Sequence, residues 1–370
     1  MSLRSSLIIT GILTALAFPA GADTGLYGFN QENPYTYAED ILSIDVPPRH
    51  IVNYREQMRD NLISLSRYAK NKNKNFQIIV HGGQELLSKS LWERHLEGYN
   101  EAREKETNAE DPSFLTKLKQ PASEADVASG YRDKAYTQNI DAIVLNNQFC
   151  RPQEISPIIR NENIKLISID HCPNGKAFDK AVEDAVATDS LTYPFINKDE
   201  AFKHIVGQPV INENAKNIYN VQDAQNVSFL LNDSEYESKE NFIDDIRRSN
   251  YDIVVINPLF HNREILTAED IDRMKFKKNG TRRQIIALFN VSEIRNNPYL
   301  RKLGWKVGNP SWLKRISFVS NDSIITEYWN DAWKKIMGRN FEKIINSEYD
   351  GAFLTGIENH RYFEKQTPLE

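Results

Sequence analysis

The 370-residue chain carries 46 basic and 51 acidic side chains, a formal charge of −5, and no basic block. That balance argues against nucleic acid or an anionic membrane as the main partner and fits a neutral or cationic ligand. Two cysteines, Cys150 and Cys172, are too few for a zinc site or a disulfide scaffold, although one bridge is possible in an oxidising compartment.

The first residues, Met1-Ser2-Leu3-Arg4, carry one positive charge and lead into an apolar run from Leu7 to Phe18. Ala20-Gly21-Ala22 then supplies a small-x-small cleavage site, so residues 1–22 are expected to be a secretory signal peptide. The alternative is a retained membrane anchor, but a run of about 12 residues is short of the roughly 20 that a spanning helix needs. The protein is therefore expected to be secreted or periplasmic, with no membrane span after cleavage and residues 23–370 forming a single domain.

Short β-branched runs bounded by turn residues follow in order: Phe76–His81, Ile140–Leu145, Ile164–Ile169, Leu191–Ile196, Val227–Leu231, Ile253–Ile256, Gln284–Phe289 and Ala352–Leu354. Each is nearly continuous in its apolar character, as strands buried on both faces must be. Helical periodicity falls between them, in Tyr54–Lys70, Lys239–Arg248 and Trp329–Asn346. Eight strands alternating with helices predict an α/β fold, a (β/α)8 TIM-type barrel. Two doubly wound halves with a linker near Gln208–Lys216 are the other possibility. The charged stretch Leu91–Asn139, after the first strand, is either an insertion over the C-terminal face of the barrel or a solvated excursion.

The C-terminal half contains Tyr251-Asp252-Ile253-Val254-Val255-Ile256-Asn257, Ile286-Ala287-Leu288-Phe289-Asn290-Val291-Ser292-Glu293 and Gly308-Asn309-Pro310-Ser311-Trp312-Leu313. Glu327-Tyr328-Trp329-Asn330-Asp331-Ala332-Trp333 and Tyr349-Asp350-Gly351-Ala352-Phe353-Leu354 complete the series. In this order the five segments resemble glycoside hydrolase family 114, the endo-α-1,4-polygalactosaminidase barrels. The N-terminal half resembles the later part of the same family, in Arg55–Lys70, Asn75–Ile79, Gln84–Leu87 and Ile169-Asp170-His171-Cys172. The halves thus stand in swapped order, with residues 50–205 matching the later half and 217–363 the earlier. The resemblance implies a circularly permuted barrel joined through Asn212–Val227, a domain-swapped dimer of halves being the alternative.

Glycoside cleavage commonly uses two carboxyl groups flanking the scissile bond, and in a barrel these belong just past the C-terminal ends of the strands. Against the family pattern, Asn257, Arg295 and Thr355 replace acids, and Asn146 and Asn147 stand where acids are common. The candidate catalytic residues are Glu293 and Asp170. The candidate substrate-binding residues are Asn257, Glu358, Glu85, His81, His171, Tyr328 and Trp312. Structural alternatives stand beside them: an ion pair with Arg295 for Glu293, a helix cap for Asp170, and a core position for the histidines. Trp329 and Trp333, four apart on one expected helix, point to core packing. No metal-ligand cluster and no phosphate-cradling loop stands out, so no cofactor is expected.

The resemblance implies an exported hydrolase of an amino-sugar polysaccharide. The lost acids leave open a non-catalytic carbohydrate-binding barrel, or an envelope interaction protein on the same scaffold.

Overall fold

A computed structural model describes residues 51–104, 131–205, 210–297 and 301–366. The expected signal peptide and the middle of the charged stretch lie outside the described residues. All eight expected strands form: β1 (Gln77–His81), β2 (Ala142–Asn146), β3 (Lys165–His171), β4 (Leu191–Phe195), β5 (Val227–Leu230), β6 (Ile253–Ile256), β7 (Gln284–Asn290) and β8 (Gly351–Thr355).

Every ladder in this sheet is parallel, and the strands pair in chain order, β1 with β2 through to β3 and β4, and β5 with β6 through to β7 and β8. The last strand also pairs with the first, Gln77 opposite Gly351 and Val80 opposite Leu354. A nearly closed barrel results, open only at the seam between β4 and β5. There the backbone carbonyl of Phe202 accepts hydrogen bonds from Leu231 and Asn232 at 3.0 Å, and its own N–H donates to the Tyr193 hydroxyl at 3.1 Å. The seam is thus bridged by a loop instead of a ladder.

The apolar character of the strands follows from two separate cores. Alternate side chains of a strand face opposite sides. Ile79, Val144, Ile167, Phe229, Val255, Ile286 and Phe353 fill the barrel interior, while Ile78, Val80, Ile143, Val254, Ile285 and Leu354 lie under the helices. A polar residue on either side would be buried without water, which is why the runs read as continuous.

Nine helices among the described residues surround the sheet: α1 (Tyr54–Lys72), α2 (Leu91–Glu104), α3 (Lys134–Thr137), α4 (Pro157–Asn161), α5 (Gly175–Ala187), α6 (Lys239–Arg247), α7 (Ala268–Met274), α8 (Asp331–Asn346) and α9 (His360–Lys365). The Asn53 side chain accepts from the Glu56 N–H and so caps α1. Asn330 does the same for Ala332 and starts α8 two residues later than its periodicity suggested. Trp329 therefore precedes the helix, and only Trp333 sits on its buried face.

The β4–β5 connection differs from the others. Among its described residues it has no α-helix, only a 3-10 turn at Val221–Asp223. It returns beneath the barrel, where Ile218, Val221 and Ala224 enter the interior core. Gln77 accepts from the Val221 N–H at 3.0 Å, and Gln222 donates to the carbonyls of Asp141 and Asn163, each at 3.0 Å. A buried Asp252–Lys277 ion pair of 2.6 Å holds the same end, with Asp252 also accepting from the Gln225 N–H.

Candidate functional site

The C-terminal ends of the strands divide into two mouths of different chemistry. On the β2–β4 side, Asp170 is fully buried at the end of β3. One oxygen accepts from the N–H groups of Phe149 and Cys150 at 2.9 and 3.1 Å, and the other accepts from the Thr192 hydroxyl at 2.8 Å. Each oxygen of this carboxylate thus has a protein donor. It fixes the loop whose Cys150 is bridged to Cys172, with Cα atoms 5.1 Å apart. The hydrogen bonds give Asp170 a loop-holding role, close to the capping alternative.

His171 stacks on Phe195 at 5.4 Å, its Nε2 lies 3.2 Å from the Ile196 carbonyl, and its backbone N–H donates to the Asn147 side chain. Burial, aided by the Lys198 charge, pushes its pKa down. Inside this side of the barrel the rings of Tyr193, Phe195, Phe202, Phe229 and Phe353 form a connected set that reaches His81.

On the β7–β8 side the end of β7 turns sharply. The Asn290 side chain accepts from the N–H groups of Ser292 and Glu293 at 3.0 and 2.8 Å, closing a local turn that delivers Glu293. Gly356, with φ +78°, lies against this turn, and a Cβ there would collide with Asn290 Oδ1 and Ser292 Oγ. Glu293 is buried, and one carboxylate oxygen accepts from the Ser317 hydroxyl at 2.9 Å and from the Asn359 amide at 3.0 Å. The other faces the Asn290 amide at 3.4 Å. All three donors are neutral. Burial raises the pKa of Glu293, against the opposing pull of these hydrogen bonds and of Arg295.

Glu293 also lines a cavity of about 140 Å³ between α8 and the loop after β6. Asn257, Asn290, Arg295 and Thr355 share that lining, so three of the positions where the family pattern has acids, together with Glu293, meet at one place. The Asn257 side chain accepts from the Leu259 N–H at 3.1 Å. Trp333, Met337 and Ile344 form the apolar wall contributed by α8.

The remaining candidates sit around β1 and β8. Glu358 is half-buried, pairs with Arg361 at 3.1 Å, and rests over Gly82, where a Cβ would come within 2.9 Å of its carboxyl carbon. His81 Nε2 lies 3.2 Å from Asn146 Oδ1, and burial pushes its pKa down despite the nearby Glu358 charge. Glu85 is buried; Arg361 Nε donates to it at 2.8 Å and His360 Nε2 lies 3.1 Å from the same oxygen. Burial alone would raise the Glu85 pKa, but the charges of Arg361 and His360 outweigh it and hold the carboxylate well below its usual range.

Two aromatic candidates are not at the mouth. Tyr328 is fully buried, its hydroxyl donating to the Tyr54 carbonyl at 2.8 Å. Trp312 is buried between Trp305 and Trp333, 5.1 and 5.9 Å from their ring centres. Neither presents a ring face for stacking on a sugar, which corrects the expectation of a loop platform. Conversely, Ser317, Asn359 and Arg361 carry the site without having been singled out. Asn359 and Arg361 follow Glu358 by one and three residues, a clue in the sequence, whereas Ser317 reaches Glu293 only through the hairpin of Leu313–Ile316 with Ser323–Thr326.

Among the described residues no cluster of three or more acids, histidines or cysteines forms a metal site, and no helix is long and apolar enough to cross a membrane. No family model matches the chain. It is similar to an uncharacterized protein, MJ1477, of Methanocaldococcus jannaschii, 26% identical over 151 residues, which are 40% of this chain and 42% of that one. The aligned part is thus less than half of that relative's length.

Proposed function

We propose that the chain is an exported glycoside hydrolase-like barrel acting on an amino-sugar polysaccharide, with Glu293 as its proton donor. The observation that carries this is Glu293 itself: a buried acid at the end of β7, beside a cavity, held by neutral donors only. A carboxyl group in that setting keeps its proton further towards neutral pH, as a general acid must. Glu293 gives that proton to the glycosidic oxygen as the bond from C1 breaks. A water adds at C1 and loses a proton to the second carboxylate, assigned to Glu358 beyond the neighbouring strand. Asn359, adjacent to Glu358 and bonded to Glu293, couples the two positions.

The β4–β5 connection, without an α-helix among its described residues, and the unladdered seam beside it support a circularly permuted barrel. They lie where the ends of an unpermuted relative would be joined. The Ser88–Lys89 and Tyr131–Arg132 ladder supports treating the charged stretch as an insertion, since it closes that excursion at its base. The Cys150–Cys172 bridge supports export, because such bonds persist in oxidising compartments.

A second function, carbohydrate binding without cleavage, is favoured by Asn257, Arg295 and Thr355 around Glu293 and by the fully engaged carboxylate of Asp170. Incubating residues 23–370 with an α-1,4-linked galactosamine polymer separates the two. Hydrolysis predicts new reducing ends that fall by about 10²–10⁴-fold in Glu293→Gln. Binding without new reducing ends selects the second function, and neither binding nor products overturns both.

A further inference from the structure

α7 has 7 residues and α8 has 16, about 10 and 24 Å of helix. The cavity beside Glu293 lies along α8 and the end of β7. Its apolar lining includes Leu266, Leu288, Trp333, Met337 and Ile344, beside polar groups that include Asn257, Asn290 and Lys343, whose ammonium donates to Asn340 at 3.2 Å. Its volume of about 140 Å³ is close to the ~150 Å³ of an apolar cavity that holds benzene.

One charged group at its lining is unengaged. The half-buried guanidinium of Arg295 has no hydrogen-bond or ion-pair partner among the described residues, although Glu293 is two residues away. A guanidinium offers five donors in a planar fork matched to a carboxylate. Asn290 and Glu293, which share the lining, are already tied into the β7 turn. Burial also favours the uncharged form of Glu293, which removes repulsion towards an incoming anion.

We infer that this cavity is a binding site for a small monocarboxylate with an apolar body of about six carbons, its carboxylate on Arg295 and its body against Trp333 and Met337. The site adjoins Glu293, and the inference holds whether or not the barrel cleaves a polysaccharide.

Calorimetric titration with hexanoate and benzoate tests it, using hexanol and hexylamine as neutral and cationic comparators. Both carboxylates are expected to bind at least tenfold more tightly than either comparator. Arg295→Gln, a half-buried position whose variant is checked for folding by circular dichroism, is expected to weaken hexanoate at least tenfold and to leave hexanol unchanged. Ligand-induced change in tryptophan fluorescence should disappear in Trp333→Phe while hexanoate still binds, which locates the ligand. No heat with either carboxylate, equal affinity for hexanol, or an unaltered Arg295→Gln each overturns the assignment. None of these outcomes depends on sugar release.

Discussion

Asp170 and Glu293 stand in equivalent places, each just at the C-terminal end of a barrel strand, yet their surroundings assign them opposite work. Asp170 is ringed by two backbone N–H groups and a threonine hydroxyl, with no exposure, beside a disulfide. Those donors belong to the fold, and without the carboxylate they would lose their protein acceptor. Glu293 is held by three neutral side chains at the edge of a cavity. Each carboxylate has three neutral donors, so the difference lies in what surrounds them: two backbone N–H groups of a bridged loop at Asp170, and side chains beside a cavity at Glu293.

The largest effect separating the two mouths is on stability. Asp170→Ala leaves one buried and two partly buried donors without an acceptor, each costing up to about 1–3 kcal/mol, so a loss of roughly 3 kcal/mol is expected in chemical denaturation. A loss below about 1 kcal/mol would remove the contrast. Next comes the bridge on the same side. Opening the Cys150–Cys172 loop, with a sequence separation of 22, is expected to cost about 3 kcal/mol when Cys150→Ser/Cys172→Ser is compared with the oxidised protein. If reduction leaves the unfolding midpoint unmoved, the β2–β4 mouth is not held as described.

The smallest effect is at Glu293. Glu293→Gln keeps an acceptor for Ser317 and Asn359, so its stability should stay within about 1 kcal/mol of the parent. The sign of its pH dependence is fixed by linkage. The folded pKa of Glu293 is raised, so ionising it costs the folded state stability as pH rises from the unfolded pKa to the folded one. The variant escapes that cost, so its stability relative to the parent should increase over that interval and level off above it. Denaturation measured from pH 4 to pH 8 checks this, and the opposite slope would mean that the hydrogen bonds, not burial, dominate.

Much of the fold was legible because burial on both faces leaves an unambiguous trace. A strand such as Ile253–Ile256 cannot be polar on either side, so the barrel strands announce themselves and their ends locate the site. Helix starts were less legible: Trp329 fits the periodicity of α8, but the Asn330 cap stops the helix before it. Glu293 could be found from an acid following a strand, and its neighbours Asn290 and Arg295 come with it. Ser317 could not, because it is brought in by a hairpin 24 residues away whose pairing has no local signal. Tyr328 and Trp312 misled for a related reason. A loop aromatic that stacks on sugar and one that closes a core have the same side chain, and only packing against Tyr54, Trp305 and Trp333 distinguishes them.

The most direct test of the division between the mouths is product release by folded Glu293→Gln and Asp170→Asn, measured side by side on an α-1,4-linked galactosamine polymer. Glu293→Gln is expected to lose product release by about 10²–10⁴-fold while its melting temperature is retained. Asp170→Asn is expected to melt earlier but, below its transition, to release products at close to the parental rate. Full activity in Glu293→Gln, with activity lost in a stably folded Asp170→Asn, would contradict the assignment.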